Sequence, residues 1–351
     1  MIEKMVKETV KGMKAYQVDN GRYDIKIDAN ESNSNIFSEI MPEIWGNVMK
    51  EDINRYPDSE ASELRGAISA FIGVPAEKIL CGNGSDELIK IIIDAFVNPG
   101  EAVLSHSPTF GMYGISTRVS GGSYMEIETD DTFEIDVDDL IAKANEASAK
   151  LIFLCNPNNP TGNIVEKKQI RRILRETKSI LVLDEAYIEF AGESMVDEVD
   201  DWENLIIMRT LSKAFGLAGL RLGYIITGGP IMEVVKAIKP PYNLNRISQR
   251  LGREVLAHSS FINRNIEAIK AERERMLEDL LKIKELKVFP TKSNFILLKT
   301  DQAEKLDRAF KKESILIRKY SGGRLENCLR ISIGSRSENE TVMDVIRRTF
   351  A

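Results

Sequence analysis

Residues 179–187 read SILVLDEAY, and residues 204–213 read NLIIMRTLSK. Each is a run of four or five apolar residues ending in polar ones: Asp184, Glu185 and Tyr187 in the first, Thr210, Ser212 and Lys213 in the second. An earlier run, LIFLCNPNNPTG at 151–162, has the same form. Between the first two of these runs in the chain lies EKKQIRRILRET, whose apolar residues fall at helical spacing. Short, fully apolar strands alternating with amphipathic helices predict a mainly parallel sheet covered by helices on both faces, an α/β fold. In an open parallel sheet ligands bind at the carboxyl ends of the strands, so the three polar loops are expected to converge.

Working outward, AVLSHSP at 102–108 reads as another strand. CGNGS at 81–85 reads as a Gly-rich turn leading into a helix over 85–97. A long amphipathic helix is expected from about Asn263, carrying Ile266, Ile269, Met276, Leu277, Leu280 and Leu281, and bridging two domains. Behind it SNFILLKT, ILIRKY and CLRISIG read as strands, and DQAEKLDRAFKKE and ENETVMDVIRRTF as helices, enough for a smaller α/β domain. The boundary is expected near 240–262, where PPYNLN supplies the only Pro-Pro of the chain.

Composition removes several function classes. The 351 residues are 43% hydrophobic and 29% charged, the range of an ordinary globular protein of about two domains. Forty-eight basic against 54 acidic side chains give −6, the wrong sign for a protein that tracks a phosphate backbone. Cys81, Cys155 and Cys328 are single and far apart, which argues against disulfides and zinc and fits a reducing, cytoplasmic setting. No apolar run approaches the ~18 residues of a membrane span. With only His106 and His258, His-rich metal sites are excluded and no metal is expected.

The chemistry is therefore expected at the strand ends. A desolvated lysine beside another cation loses its proton more readily and can attack a carbonyl to form an imine; Lys213 fits that description. Arg221 lies eight residues on, inside KAFGLAGLRLGY, where Gly216, Gly219 and Gly223 allow close backbone approach, so it can clamp a phosphate and depress the basicity of Lys213. Asp184, emerging from an apolar strand, is expected to be buried, and a buried carboxylate needs a cation such as a protonated pyridine nitrogen. Taken singly, each feature has a plain structural explanation: a surface lysine, a turn-rich loop, a solvated strand end. Their joint order makes the site. These parts describe a pyridoxal 5′-phosphate site.

Five ordered motifs carry a resemblance: RTLSKAFGLAGLRLGY (209–224), NPNNPTG (156–162), LDEAYIEF (183–190), NRYPD (54–58) and CLRISIG (328–334). Together they resemble the fold-type I, class I/II aminotransferases, and most of all the histidinol-phosphate aminotransferase family. That resemblance implies an N-terminal arm over 1–28, a large cofactor-binding domain over 48–245, and a small domain made of 29–47 with 246–351. It implies that Lys213 carries the cofactor and moves the proton, that Asp184 keeps the pyridine protonated, and that Asn159 and Tyr187 donate to the 3′ oxygen. Phe110 would stack on the ring, and Ser85, Asp86, Thr210, Ser212 and Arg221 would surround the phosphate. Tyr56 would reach that phosphate from the other subunit of a homodimer. Arg330 would pair with the anionic end of the substrate, with Arg318, Tyr16 and Asn30 in the same pocket.

The implied reaction is ping-pong transfer from L-histidinol phosphate to 2-oxoglutarate, in histidine biosynthesis. Rivals on the same cofactor are a threonine-phosphate decarboxylase and an aromatic aminotransferase. The segment ANESNSNIF (29–37) departs from the Pro-containing pattern of the family, in a region that lines the substrate pocket there. A rival of another class is a dinucleotide-binding oxidoreductase, but Gly82-x-Gly84-x-x-Glu87 lacks the third Gly of that fingerprint.

Overall fold

The computed structural model describes residues 2–13, 19–33 and 36–351. Strand β1 (Ile25–Lys26) comes first. Strands β2 (Ile79–Asn83), β3 (Ala102–Ser107), β4 (Ser123–Glu128), β5 (Leu151–Cys155), β6 (Ile180–Asp184), β7 (Leu205–Thr210) and β8 (Leu222–Ile226) form a seven-stranded sheet in the order β2-β8-β7-β6-β5-β3-β4. Only β8 runs against its neighbours. The smaller sheet is antiparallel and orders β9 (Lys287–Val288), β10 (Phe295–Lys299), β12 (Arg318–Lys319) and β13 (Cys328–Ser332) as β12-β13-β10-β9. Strand β11 (Ile315–Leu316) pairs in parallel with β1, whose Ile25 faces Ile315.

The helices are α1 (Ile36–Val48), α2 (Ser62–Ile72), α3 (Gly84–Phe96), α4 (Met112–Ser120), α5 (Val137–Glu146), α6 (Lys167–Glu176), α7 (Ile188–Ala191), α8 (Gly229–Ile238), α9 (Arg246–Leu256), α10 (Ser259–Leu280), α11 (Ala303–Lys312) and α12 (Arg336–Phe350). Because side chains alternate along a strand, each apolar strand of the large sheet feeds two cores. Val103, Phe153, Val182, Ile206 and Ile225 pack with α3, α4 and α8 on one face. Leu104, Ile152, Leu181, Leu183 and Ile207 pack with α2, α5, α6, α9 and α10 on the other. The fold is thus the expected α/β arrangement, a mainly parallel sheet with helices on both faces and a smaller α/β unit.

Five details differ from the sequence reading. The CGNGS turn is mostly strand: β2 continues through Cys81, Gly82 and Asn83, with Gly82 paired to Gly223 of β8. Strand β8 itself occupies the glycine-rich segment after Arg221, whose glycines gave no strand signal. ILIRKY is split between β11 and β12, which join different sheets. Helix α9, expected with the C-terminal unit, packs on α2 and β8, because Gly252 has no side chain to hold off Leu64 and Leu222. The long helix begins at Ser259, four residues earlier than expected. It buries Ile266, Ile269, Met276 and Leu280, packs against α7, α9, α12 and β10, and leaves Leu281 exposed.

Candidate active site

Strands β5, β6 and β7 are parallel and end at one edge, in Cys155, Asp184 and Thr210. Strands β2 and β7 both oppose β8, so Asn83 ends at the same edge and delivers the start of α3 there. Asp184 shares the parity of Val182 and therefore faces the α4 side. It is 3% exposed, and both of its partners are neutral donors. The Tyr113 hydroxyl donates to Oδ2 at 2.6 Å and the Ala186 amide to Oδ1 at 3.1 Å. Burial raises its pKa to about 6 against those two donors, with Asp86 and Glu185 adding to the rise.

Lys213 stands three residues beyond the end of β7, half-buried. Its Nζ donates to the Ala29 carbonyl at 2.7 Å and lies 6.0 Å from the centre of the Tyr187 ring. Burial is the main cause that lowers its pKa to about 8, helped by the cations Arg330 and Arg221 and opposed by Glu31 and Asp86. Tyr187 is buried; its hydroxyl accepts from Asn30 Nδ2 at 3.0 Å, and its ring meets Phe295 edge-on at 5.2 Å. Asn30 sits in the left-handed region at φ 54°. It is fixed there because its amide donates to Ser332 Oγ, its Oδ1 accepts from the same hydroxyl, and its carbonyl accepts from Asn294 Nδ2.

The anion-binding features gather at the start of α3. A Cβ on Gly223 would lie 2.8 Å from the Ser85 nitrogen, and one on Gly84 would lie 2.6 Å from Arg221 Nη2. Only glycines let the helix start, strand β8 and the guanidinium meet so closely. The helix start presents unpaired N–H groups, and Arg221, itself at φ 54°, pairs with Asp86 at 3.1 Å. Thr210 Oγ1 accepts from the Ser212 amide at 3.1 Å and donates to Leu222 O at 3.2 Å, holding both hydroxyl residues at the same edge. Phe110 meets Tyr113 edge-on at 5.5 Å.

On the other side of Lys213, Arg330 of β13 stands directly opposite Arg318 of β12. Arg330 donates to Asn159 Oδ1 and to the Asp28 carbonyl, and its guanidinium lies over the Phe295 ring at 5.3 Å. Arg318 lies over Tyr320 at 5.8 Å. The fold therefore brings together Lys213, Tyr187, Asn30, Asn159 and Arg330, with Asp184, Ser85, Asp86, Thr210, Ser212 and Arg221 along the same edge. Tyr56 is apart: it is 76% exposed and stacks on Tyr242 at 4.5 Å. Tyr16 lies outside the described residues.

Sequence reasoning missed Tyr113 and Asn294. Tyr113 follows Phe110 by three residues, a helical spacing that puts both on one face, which was the signal available. Asn294 had none, since its partner Asn30 is 264 residues away.

Chemically, the site offers a half-buried amine of lowered basicity, a buried carboxylate with neutral partners, and a glycine-lined cup closed by a guanidinium. Pyridoxal phosphate fits that donor set: an aldehyde for the amine, a ring nitrogen that can be protonated for Asp184, and a phosphate for the cup.

A family model described as aminotransferase class I and II matches residues 24–346. The histidinol-phosphate aminotransferase of Clostridium kluyveri is 41% identical over 98% of this chain and 98% of its own length. That of Caldanaerobacter subterraneus subsp. tengcongensis is 39% identical over the whole of both. Among solved structures, histidinol-phosphate aminotransferase from Sinorhizobium meliloti in complex with pyridoxal-5′-phosphate superposes with a TM-score of 0.83 at 25% identity, covering 93% of this chain and 92% of that one.

Proposed function

The chain belongs to the class I and II aminotransferase family, and from that premise we propose that it transfers the amino group of L-histidinol phosphate to 2-oxoglutarate, giving imidazole acetol phosphate and L-glutamate. It is a pyridoxal-phosphate-dependent aminotransferase. When bound, the cofactor supplies a carbon that holds the nitrogen between half-reactions and a ring that takes up the electron pair left on the substrate Cα. The rest falls to the chain's own side chains. Lys213 Nζ takes the proton from the substrate Cα and returns it at the carbon that keeps the nitrogen, a task suited to a base whose pKa lies near 8. Asp184 holds a proton on the ring nitrogen.

In this reading Asn159 and Tyr187 bind the 3′ oxygen, and Phe110 covers a ring face. Ser85, Asp86, Thr210, Ser212 and Arg221 take the phosphate, which would draw Arg221 from Asp86. Arg330, with Arg318 opposite it in the strand pair, takes the anionic end of each substrate, where a guanidinium suits a carboxylate or a phosphate. Asn30 lines the pocket through Tyr187. The observation that carries the reading is Lys213: an amine made less basic by burial and two arginines, at the same sheet edge as a carboxylate that only neutral groups partner.

A homodimer and a cytoplasmic setting are part of the proposal. Trp45, Met49, Ile53, Tyr56 and Tyr242 are all large, apolar or aromatic, and exposed. Such a surface favours cover by a second copy, which would bring Tyr56 to the partner's phosphate. Among the described residues no helix is long and apolar enough to cross a membrane, and all three cysteines are unpaired.

The test is a visible spectrum before and after borohydride, then peptide mapping, with glutamate formation followed on histidinol phosphate and 2-oxoglutarate. A label on another lysine overturns the mechanism. Release of carbon dioxide without glutamate favours the decarboxylase.

A further inference from the structure

We propose that Tyr113 is a positioning residue: by donating its hydroxyl proton to Asp184, it keeps that carboxylate ionised and so keeps the proton on the cofactor's ring nitrogen. The inference rests on the reading of Asp184 as the partner of that nitrogen. Tyr113 lies in the first turn of α4 and is 0% exposed. Its hydroxyl is 2.6 Å from Asp184 Oδ2, while Oδ1 takes the Ala186 amide. The ring is clamped between Phe153, stacked at 4.6 Å and 12°, and Phe110, edge-on at 5.5 Å. Phe153 belongs to β5 and Asp184 to the adjoining β6, so the clamp fixes the hydroxyl relative to the strand that carries the acid.

The direction of the effect follows from the surroundings. The titratable groups facing Asp184 are Tyr113 from α4, Asp86 from α3, Glu185 beside it, Cys155 paired with it from β5, and Tyr187; burial keeps the Cys155 thiol and the Tyr187 phenol neutral, while Asp86 and Glu185 are acidic and favour the protonated form of Asp184. Burial does the same. Opposing them are two donors, of which Tyr113 is the stronger. The phenol itself is held far above its ordinary pKa by burial and by Asp184, so it remains a donor at every working pH. Without that donor, Asp184 competes better for the proton it shares with the ring nitrogen. The ring then accepts electrons less well, while the anion site at Arg330 is untouched.

The test compares holoenzymes reconstituted with cofactor labelled with nitrogen-15 in the ring. In Tyr113→Phe the ring nitrogen resonance should move toward the unprotonated position, cofactor loss should quicken several-fold, and kcat should fall about tenfold with KM for histidinol phosphate nearly unchanged. Phe153→Leu, which loosens the clamp but keeps the hydroxyl, should lower Tm and move the resonance much less than Tyr113→Phe does. Fluorotyrosine at position 113 is a stronger donor of nearly the same shape and should move the resonance the opposite way; it serves if Tyr113→Phe does not fold. An unmoved resonance in a folded Tyr113→Phe or fluorotyrosine protein overturns the inference, as does an equal shift in Phe153→Leu. A wild-type protein that forms no chromophore overturns the cofactor reading itself, and this inference with it.

Discussion

Replacing Asp184 by Asn in the cofactor-free protein should stabilise it in mildly alkaline solution and bring no gain in acid. Burial lifts the Asp184 carboxyl from 3.8 to about 6. That gap of roughly two pH units is worth about 3 kcal/mol. Because the folded value is the higher one, the folded chain holds a proton between these limits that the unfolded chain releases. The ionised group therefore weighs against folding, by nothing below pH 3.8 and by the full amount above about pH 6. An amide has no charge to desolvate, so it escapes this penalty. Its single oxygen cannot serve both Tyr113 and the Ala186 amide as well as a carboxylate does, at a cost of ~1–2 kcal/mol at any pH. The net gain is then ~1–2 kcal/mol near pH 8 and turns into a net loss of similar size by about pH 4. Urea unfolding midpoints of both cofactor-free proteins at the two pH values measure it. A difference that is the same at both would refute the claim that burial strains this carboxylate. With cofactor bound the order should reverse, since the amide has no charge to offer a protonated ring.

Lys213 in the cofactor-free protein should be acylated with a midpoint near pH 8 rather than 10.5, as followed by peptide mapping; a midpoint of about 10 or above contradicts the burial argument. Since its folded value is the lower one, its charged form opposes folding below pH 8, and that opposition fades as pH rises toward 10.5. Arg330→Ala should raise KM for both anionic substrates by at least about tenfold, the loss of a charge-assisted pair, with a smaller change in kcat; equal KM values would assign the anion to another residue. Arg209→Met should cost about 3–5 kcal/mol, because Arg209 pairs with Glu185 at 2.8 Å in the interior and also offsets Glu189, whose carboxyl burial pushes up to about 7. A loss below about 1 kcal/mol in denaturant unfolding would mean that Glu185 is not left as a buried, unpaired charge. Mixing inactive Tyr56→Ala and Lys213→Ala proteins should restore part of the activity if Tyr56 serves the neighbouring subunit, and none if it serves its own.

Much of this architecture was legible because the decisive signals are local. Four apolar residues followed by Asp184, and six strand residues followed by Leu211-Ser212-Lys213, announce strand ends, and parallel pairing then forces those ends to one edge. Strand β8 was hidden because Gly223 serves two masters: it pairs with Gly82 and clears space for Ser85, and neither need leaves an apolar alternation. The attachment of α9 was hidden for a related reason, since the contact that decides it is the absence of a side chain at Gly252. Tyr113 was missed because a stacked ring and a hydrogen-bonded hydroxyl look alike in sequence. Asn30 and Tyr187 meet across 157 residues, a contact no local pattern encodes.

The backbone at residues 28–30 has a practical bearing. Three successive carbonyls there are gripped by three side chains from distant parts of the chain: Asp28 by Arg330, Ala29 by Lys213, Asn30 by Asn294. In the proposed reading this segment, N-terminal to the first helix, is the floor of the reaction chamber. A truncation that removed it would strip acceptors from the lysine and the arginine at once, so a shortened protein should lose chemistry before it loses its shape.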